Sequence, residues 1–192
     1  AGAGDIVCVT GLDNLNISDT LCAPESPQAL PPLTVDEPTV SMTFQVNDSP
    51  FAGKDGKFVT SRNIRERLDK ELLYNVALRV EPGDSPDRFI VSGRGELHLS
   101  VLIENMRREG YELGVSRPEV IVKEIDGEKV EPFEQVIIDV EDVHQGPVME
   151  EMGLRRSQLV NMIPDGKGRT RLEFIIPSRG LIGFRSQFLT MT

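Results

Sequence analysis

The chain is poor in the groups that carry most enzyme chemistry. Among its 192 residues are two cysteines and two histidines. Cys8 and Cys22 are too few and too far apart in sequence for a zinc site, and no nearby histidine completes a ligand set. They read as reduced thiols buried in strands, with a disulfide as the alternative. His98 sits between Leu97 and Leu99, one turn into an expected helix, and His144 precedes Gly146 in a loop. Neither has a Ser, Cys or paired carboxylate at a telling spacing, which points to packing or turn roles. A Walker A loop with its Lys and Ser/Thr is absent, so the chain is expected to cradle no nucleotide triphosphate. No apolar run approaches the roughly 18 to 20 residues needed to cross a bilayer. The opening Ala1 to Asp5 has neither the basic nor the apolar region of a secretory signal. The expectation is a cytoplasmic protein with no membrane partner, no metal, no cofactor and no catalytic residue in this chain.

Hydrophobic content of 39% and charged content of 27% are ordinary for a globular protein. A net charge of −10 and a pI near 4.8 argue against indiscriminate coating of nucleic acid. The charge is uneven. Residues 1–61 hold two Lys/Arg against eight Asp/Glu, and residues 118–142 hold two against nine. Residues 143–192 reverse the sign, seven against four. Such an end can touch phosphate locally without being promiscuous.

Two stretches share one plan. Phe89 to Gly110 reads as a strand, a turn at Ser92-Gly93-Arg94-Gly95, and a helix with Leu99, Leu102, Ile103 and Met106 at i, i+3, i+4 and i+7. Arg171 to Phe188 repeats the strand, turn and helix. The bare Gly93-Arg94-Gly95 resembles a phosphate loop only superficially, and its glycines are expected to serve backbone angles and close packing.

In chain order, residues 1–22 read as the end of a β structure whose cover lies elsewhere in a longer polypeptide, with strands at Ile6 to Val9 and Ile17 to Cys22 around a turn from Gly11 to Asn16. Pro24, Pro27, Pro31 and Pro32 make residues 23–36 a stiff linker. Val40, Met42, Phe44 and Val46 alternate with polar residues as a half-buried strand. A polar loop over Asn47 to Thr60 leads to a helix capped by Ser61 and running from Arg62 to about Ala77, striped by Ile64, Leu68, Leu72 and Val76. Its outer face pairs Arg62 with Glu66, Arg65 with Asp69 and Arg67 with Glu71 at i, i+4. Strands at Leu78 to Glu81 and Tyr111 to Val115 complete a split βαβ order. After Arg117-Pro118 come a strand at Val120 to Lys123, a turn at Asp126-Gly127, a strand at Phe133 to Val140 and a helix from Pro147 to about Arg156. A hairpin of Leu159 to Ile163 with Arg169 to Ile176 and a helix from Arg179 toward Thr190 finish the chain. The fold class expected is α+β: two ferredoxin-like modules in tandem, preceded by the end of a β-barrel domain.

The positive candidates lie in the last fifty residues. Arg155 and Arg156 end a helix, Lys167, Arg169 and Arg171 lie on a hairpin, and Arg179 and Arg185 lie on the terminal helix. In one ferredoxin-like module all seven are expected to reach one edge, where they suffice to position RNA phosphates. Arg62 and Arg65 are weaker candidates, since intrahelical pairing accounts for them. The bland alternative is a set of surface arginines paired with Glu150, Glu151 and Glu173.

SGRGELHLSVLIENMRREGYELGVSRPEV, residues 92–120, resembles the third domain of translational GTPases of the elongation factor G superfamily, whose glycine-Glu-Leu-His helix and following Arg-Glu pair share this spacing. SPFAGKDGKFVTSRNIRERLDKELLYNVALRVE (49–81) and PSRGLIGFRSQFLTMT (177–192) narrow the resemblance to the BipA, or TypA, branch. The resemblance implies that residues 1–33 end the β-barrel domain II, 34–117 are domain III and 118–192 are equivalent to domain V. It implies that GTP and Mg belong to a GTP-binding domain outside this sequence, as does a distinctive C-terminal domain. The partners implied are the ribosome, through rRNA and ribosomal proteins, in translation or assembly under stress, and the other domains of the same polypeptide, with the chain itself a monomer. Domain V of the family approaches large-subunit rRNA, which adds weight to Lys167, Arg169, Arg171, Arg179 and Arg185 as RNA-facing. A reading from another class is a regulatory pair of ferredoxin-like domains that binds a small molecule between its modules.

Overall fold

The alternation of apolar and polar residues from Val40 produces strand β1 (Val40–Val46), which lies inside the first sheet with Val40, Met42 and Phe44 buried. The computed structural model of the chain describes residues 1–12, 15, 17–32 and 35–192. Helix α1 (Ser61–Leu72), strands β2 (Arg79–Pro82) and β3 (Arg88–Gly93), helix α2 (Glu96–Arg108) and strand β4 (Leu113–Val115) follow. The antiparallel order β2-β3-β1-β4 is the split βαβ, or ferredoxin-like, arrangement. Both helices lie on one face, where Ile64 and Leu68 of α1 and Leu99, Leu102 and Met106 of α2 join Phe44, Phe89 and Val91 in the core. Gly93 lets α2 approach: a Cβ there would come within 2.9 Å of His98 Nδ1 and of Leu99 Cδ2. The glycine turn therefore serves close packing.

Strand β5 (Glu119–Val120) pairs with Val40 and Ser41 of β1. A hairpin of β6 (Lys123–Ile125) and β7 (Glu128–Val130) turns on Asp126 (φ 54°) and Gly127 (φ 82°), both left-handed, as a two-residue hairpin turn requires. The second module then comprises β8 (Phe133–Glu141), α3 (Gln145–Leu154), β9 (Gln158–Pro164), β10 (Arg169–Pro177), α4 (Ser178–Leu181) and α5 (Phe184–Met191). Its order β8-β10-β9 repeats the relation of β1, β3 and β2 in the first. Val148 and Met152 of α3 and Phe184 of α5 pack on Ile138, Val140, Leu172, Phe174 and Ile176.

Several expectations are corrected. The strand expected at Val120 to Lys123 as the opening of the second module is split, and its first part joins the first sheet. β1 is long enough for β4 and β5 to sit end to end along one edge. Helix α1 is capped by Thr60 and stops at Leu72, so Val76 is 50% exposed. Tyr74 and Asn75 end it by donating back to Glu71. The last helix is broken at Ile182 and at Gly183, which has φ 71°. The expected strands at Ile6 to Val9 and Ile17 to Cys22 are absent among the described residues, and Cys8 and Cys22 are exposed free thiols. Ile6, Val7 and Val9 are exposed and belong to no core cluster among the described residues. Asp13, Asn14 and Asn16 of the expected turn, and the boundary between residues 33 and 34, lie outside the described residues.

Arg67 is also corrected, from an exposed pair to a buried fork. Its Nη1 donates to Glu71 at 2.8 Å, while Nε and Nη2 grip both oxygens of Glu109 just past α2, at 2.5 and 2.8 Å. Arg67 and Glu71 are 7% and 8% exposed. Burial pushes the Glu71 carboxyl up, but hydrogen bonds from Asn75, Arg67 and Tyr74 outweigh it and hold it below its ordinary value. The Arg67 guanidinium lowers Glu109 likewise. Replacing Arg67 by Met is expected to cost about 2 to 3 kcal/mol, less than a fully orphaned buried charge because Tyr74 and Asn75 still donate to Glu71; chemical denaturation measures it. Both carboxyls titrate lower in the folded chain than in the unfolded one. Their stabilisation is therefore present above the ordinary value of 4.5 and lost as pH falls through the lowered folded values. Thermal midpoints should drop below about pH 4.5, and less steeply in Arg67→Met.

Candidate nucleic-acid interface

The seven cations of the last fifty residues fall into three groups, not along one edge. Strand β10 runs from Arg169 at the hairpin end to Pro177 at the other, about 25 Å away at strand rise. Lys167, Arg169 and Arg171 belong to the hairpin end. Arg155, Arg156 and Arg179 belong to the opposite end, around a shallow depression that Leu154 and Gly180 also line. Arg185 lies in a cleft between the modules.

Arg155 is held within the protein. It follows α3, and its Nε donates to Glu151 at 2.6 Å. Its Nη1 donates to the carbonyls of Gly180 and Ile182 at 2.6 and 3.1 Å, and its Nη2 to Gln187 at 2.7 Å. The guanidinium also lies 5.3 Å from the centre of the Phe184 ring. One side chain thus ties α3 to the break between α4 and α5, satisfying carbonyls that the broken helix leaves open. Arg179 makes a two-point pair with Glu131, at 2.6 and 3.0 Å. Exposed Arg156 follows with φ 63° and makes no ion pair among the described residues. The expected pairing with Glu151 holds for Arg155; the acids that pair Arg171 and Arg179 are Asp139 and Glu131.

At the hairpin end, Asp165 accepts hydrogen bonds from the backbone amides of Lys167 and Arg169 at 2.7 and 3.0 Å, which lower its carboxyl pKa. Gly166 and Gly168 take left-handed φ to close the turn. The side chains of Lys167 and Arg169 form no ion pair among the described residues, though Glu141 sits across from Arg169 in the register. Arg171 pairs with Asp139 at 3.1 Å, half exposed on both sides. Beside it on the open face of the sheet are Ile163, opposite Arg171, and Ile137, respectively 47% and 55% exposed. No residue pattern marked this apolar border, because β9 is exposed along its whole length. Arg62 and Arg65 make the i, i+4 pairs expected of them, at 2.8 and 2.9 Å.

Another exposed element, carrying Lys54 and Lys57, was read only as a polar loop. Between β1 and α1, the chain wraps around the carboxylate of Glu112. That carboxylate accepts from Asn47 Nδ2 at 2.6 Å and from the amides of Gly53, Asp55 and Gly56 at 2.9 to 3.1 Å. The Gly53 amide, then Asn47, holds Glu112 below its ordinary pKa. Sequence reading missed the frame because its acid lies 56 residues from Gly56.

The modules meet where Glu96 Oε2 accepts from the Gly183 amide at 2.8 Å and where Thr39 Oγ1 reaches Glu134 at 3.5 Å. The cleft there has a volume of about 640 Å³. Among the described residues, no group of three or more His, Cys, Asp or Glu is arranged to hold a metal, and no helix is long and apolar enough to cross a membrane.

Comparison with known proteins agrees with this architecture. Residues 128–192 match the family described as elongation factor G C-terminus. The whole chain is 70% identical to the large ribosomal subunit assembly factor BipA of Haemophilus influenzae, covering 31% of that protein, and 68% identical to that of Salmonella typhimurium, covering 32%. Against the Buchnera aphidicola protein of the same name it is 60% identical over 190 residues, 99% of this chain and 31% of the relative. The chain spans about a third of the length of these curated relatives.

Arg155→Gln should lower stability by about 1.5 to 3 kcal/mol, the loss of charged hydrogen bonds that leaves the half-buried Gly180 and Ile182 carbonyls open. Arg156→Gln should stay within about 0.5 kcal/mol. Parallel urea titrations decide it; equal effects would remove the clamp assignment.

Proposed function

We propose, from the premise that the chain belongs to the BipA branch of the elongation factor G superfamily of translational GTPases, that its two modules dock on the ribosome. The relatives' name refers to assembly of the large subunit, and we extend that role to this chain as contact with large-subunit rRNA. The observation that carries the reading is the hairpin end of the second module. There Lys167 and Arg169 have their backbone amides tied to Asp165 and their side chains outside any ion pair among the described residues. Such cations can neutralise phosphate without first breaking an ion pair; Arg169 gives up only a long 3.4 Å donation to the Asp139 carbonyl. Arg156 and Arg185 share that property, whereas Arg155 is committed to the fold and Arg179 to Glu131.

Docking by this surface is a matter of position and charge, so binding should fall as salt rises. GTP hydrolysis, the chemistry of the superfamily, is assigned in this reading to a GTP-binding domain that these residues do not supply. Domains III and V remain our assignment for the two modules.

A second reading has one feature in its favour. Ser178 Oγ is buried with no hydrogen-bond partner among the described residues, and Ser178 lines the cleft between the modules with Leu97, Leu181 and Ile182. A small-molecule regulator seated there would raise the thermal midpoint and leave the salt dependence of ribosome association unchanged.

Sedimentation of the chain with purified large ribosomal subunits tests the first reading. The double variant Lys167→Glu/Arg169→Glu is expected to weaken association by about tenfold or more near physiological salt while leaving the thermal midpoint in place. Unchanged association would show the docking face to be wrong.

A further inference from the structure

We propose that the loop between β1 and α1 is a stacking platform for single-stranded RNA, placing a base on Phe51 and phosphates on Lys54 and Lys57. The inference rests on the ribosome-docking reading and names an RNA contact in the first module.

The loop is a rigid frame around an exposed tip. Glu112 fixes it from within through Asn47, Gly53, Asp55 and Gly56. Gly110 O accepts from the amides of Lys57 and Phe58 at 2.8 and 3.1 Å, and the Phe58 ring rests 4.8 Å from that of Tyr111. Gly56 has no room for a side chain, since a Cβ would stand 2.6 Å from Glu112 Cβ and 2.9 Å from Gly110 O. The tip itself closes through Ala52 N to Ser49 O and Lys54 N to Phe51 O.

On that frame Phe51 is 65% exposed. Lys54 Nζ sits 4.6 Å from the centre of its ring, a cation–π contact that leaves ring area for a second planar group. Neither Lys54 nor Lys57 forms an ion pair among the described residues. Asp48 and Asp55 bring the net charge of the loop to zero, so it is no electrostatic patch. An exposed aromatic ring with one unpaired cation over it and a second on the same loop is instead a combination that binds a nucleic-acid strand by stacking and phosphate contact. The side chains placed against Phe51 are polar: Lys54 lies over its ring, and Ser49 Oγ accepts from its amide at 3.4 Å.

The test uses the whole chain, a fluorescent oligouridylate and purified ribosomal subunits. Phe51→Ala should weaken oligouridylate binding about 5- to 150-fold, the loss of stacking on one base, while Phe51→Trp retains it. Lys54→Gln with Lys57→Gln should reduce the slope of log affinity against log salt by about 1.4, two phosphates' worth on a single strand. None of these exposed changes should move the thermal midpoint by more than about a degree or two. Unchanged oligouridylate affinity in Phe51→Ala would overturn the proposal. So would a loss confined to intact subunits, because the occupant would then be a structured surface of the subunit and no single strand. If Lys167→Glu/Arg169→Glu leaves subunit association intact while Phe51→Ala lowers oligouridylate binding, the hairpin docking face fails and the platform is upheld.

Discussion

A buried guanidinium holds the first module together. Arg67 joins α1 to the end of α2 through Glu109, and through Glu71 it begins a relay that runs back along the helices. Glu71 accepts from Asn75 Nδ2 at 2.9 Å, Asn75 Oδ1 meets His98 Nε2 at 3.2 Å, and His98 Nδ1 accepts from the Arg94 amide at 3.3 Å. With Nδ1 facing the Arg94 amide, Nε2 is the ring nitrogen left to meet the Asn75 amide. From Arg94 the contacts continue to Asp36 and, through its carbonyl, to Thr39, which also reaches Glu134 of the second module. A single polar chain thus spans the helix layer and ends where the modules meet. Both histidine and glycine turn are absorbed by it, which accounts for residues that otherwise invite a catalytic or phosphate-binding reading.

The second module uses the same device in another place. Arg155 does for α3, α4 and α5 what Arg67 does for α1 and α2: a planar fork spends several donors on two or three elements at once. Lysine, with a point charge on a flexible stem, cannot satisfy a carboxylate, two carbonyls and an amide oxygen in fixed directions. The consequence for docking is subtractive. The most buried basic residues are the least available to a partner, and a count of arginines overstates the interface.

Local periodicity made much of the fold legible. The alternation at Val40 to Val46, the stripe of Leu99, Leu102 and Met106, the Asp126-Gly127 turn and the hairpin around Gly166 were all readable from neighbours in sequence. What was not readable depended on distant partners. Arg67 looked like one more i, i+4 pair because Glu109, 42 residues away, is what draws it inside. The stripe of α1 suggested another turn through Val76, but Tyr74 and Asn75 compete for Glu71 and close the helix early. The terminal helix looked continuous because its break at Gly183 is upheld by Arg155, a residue of another element. The same limit applied to the candidate interface: residue types marked Lys167 and Arg169 correctly as cations on a hairpin, yet only the strand direction of β10 separates them from Arg156 and Arg179.

The two exposed tips with unpaired lysines share one construction. In the hairpin Asp165 takes the amides of Lys167 and Arg169, and in the first module Glu112 takes those of Gly53, Asp55 and Gly56. Each carboxylate is held in its charged form by those bonds. Turn amides that would otherwise face solvent are directed inward, and the backbone is fixed before any partner arrives. The lysine side chains are then the outward donors of each tip, and only their own rotamer freedom has to be lost on contact, a smaller entropic cost than ordering a loose loop. A chain of net charge −10 can in this way meet a polyanion at a few fixed points, because Asp165 and Glu112 direct their charge onto backbone amides beside those points.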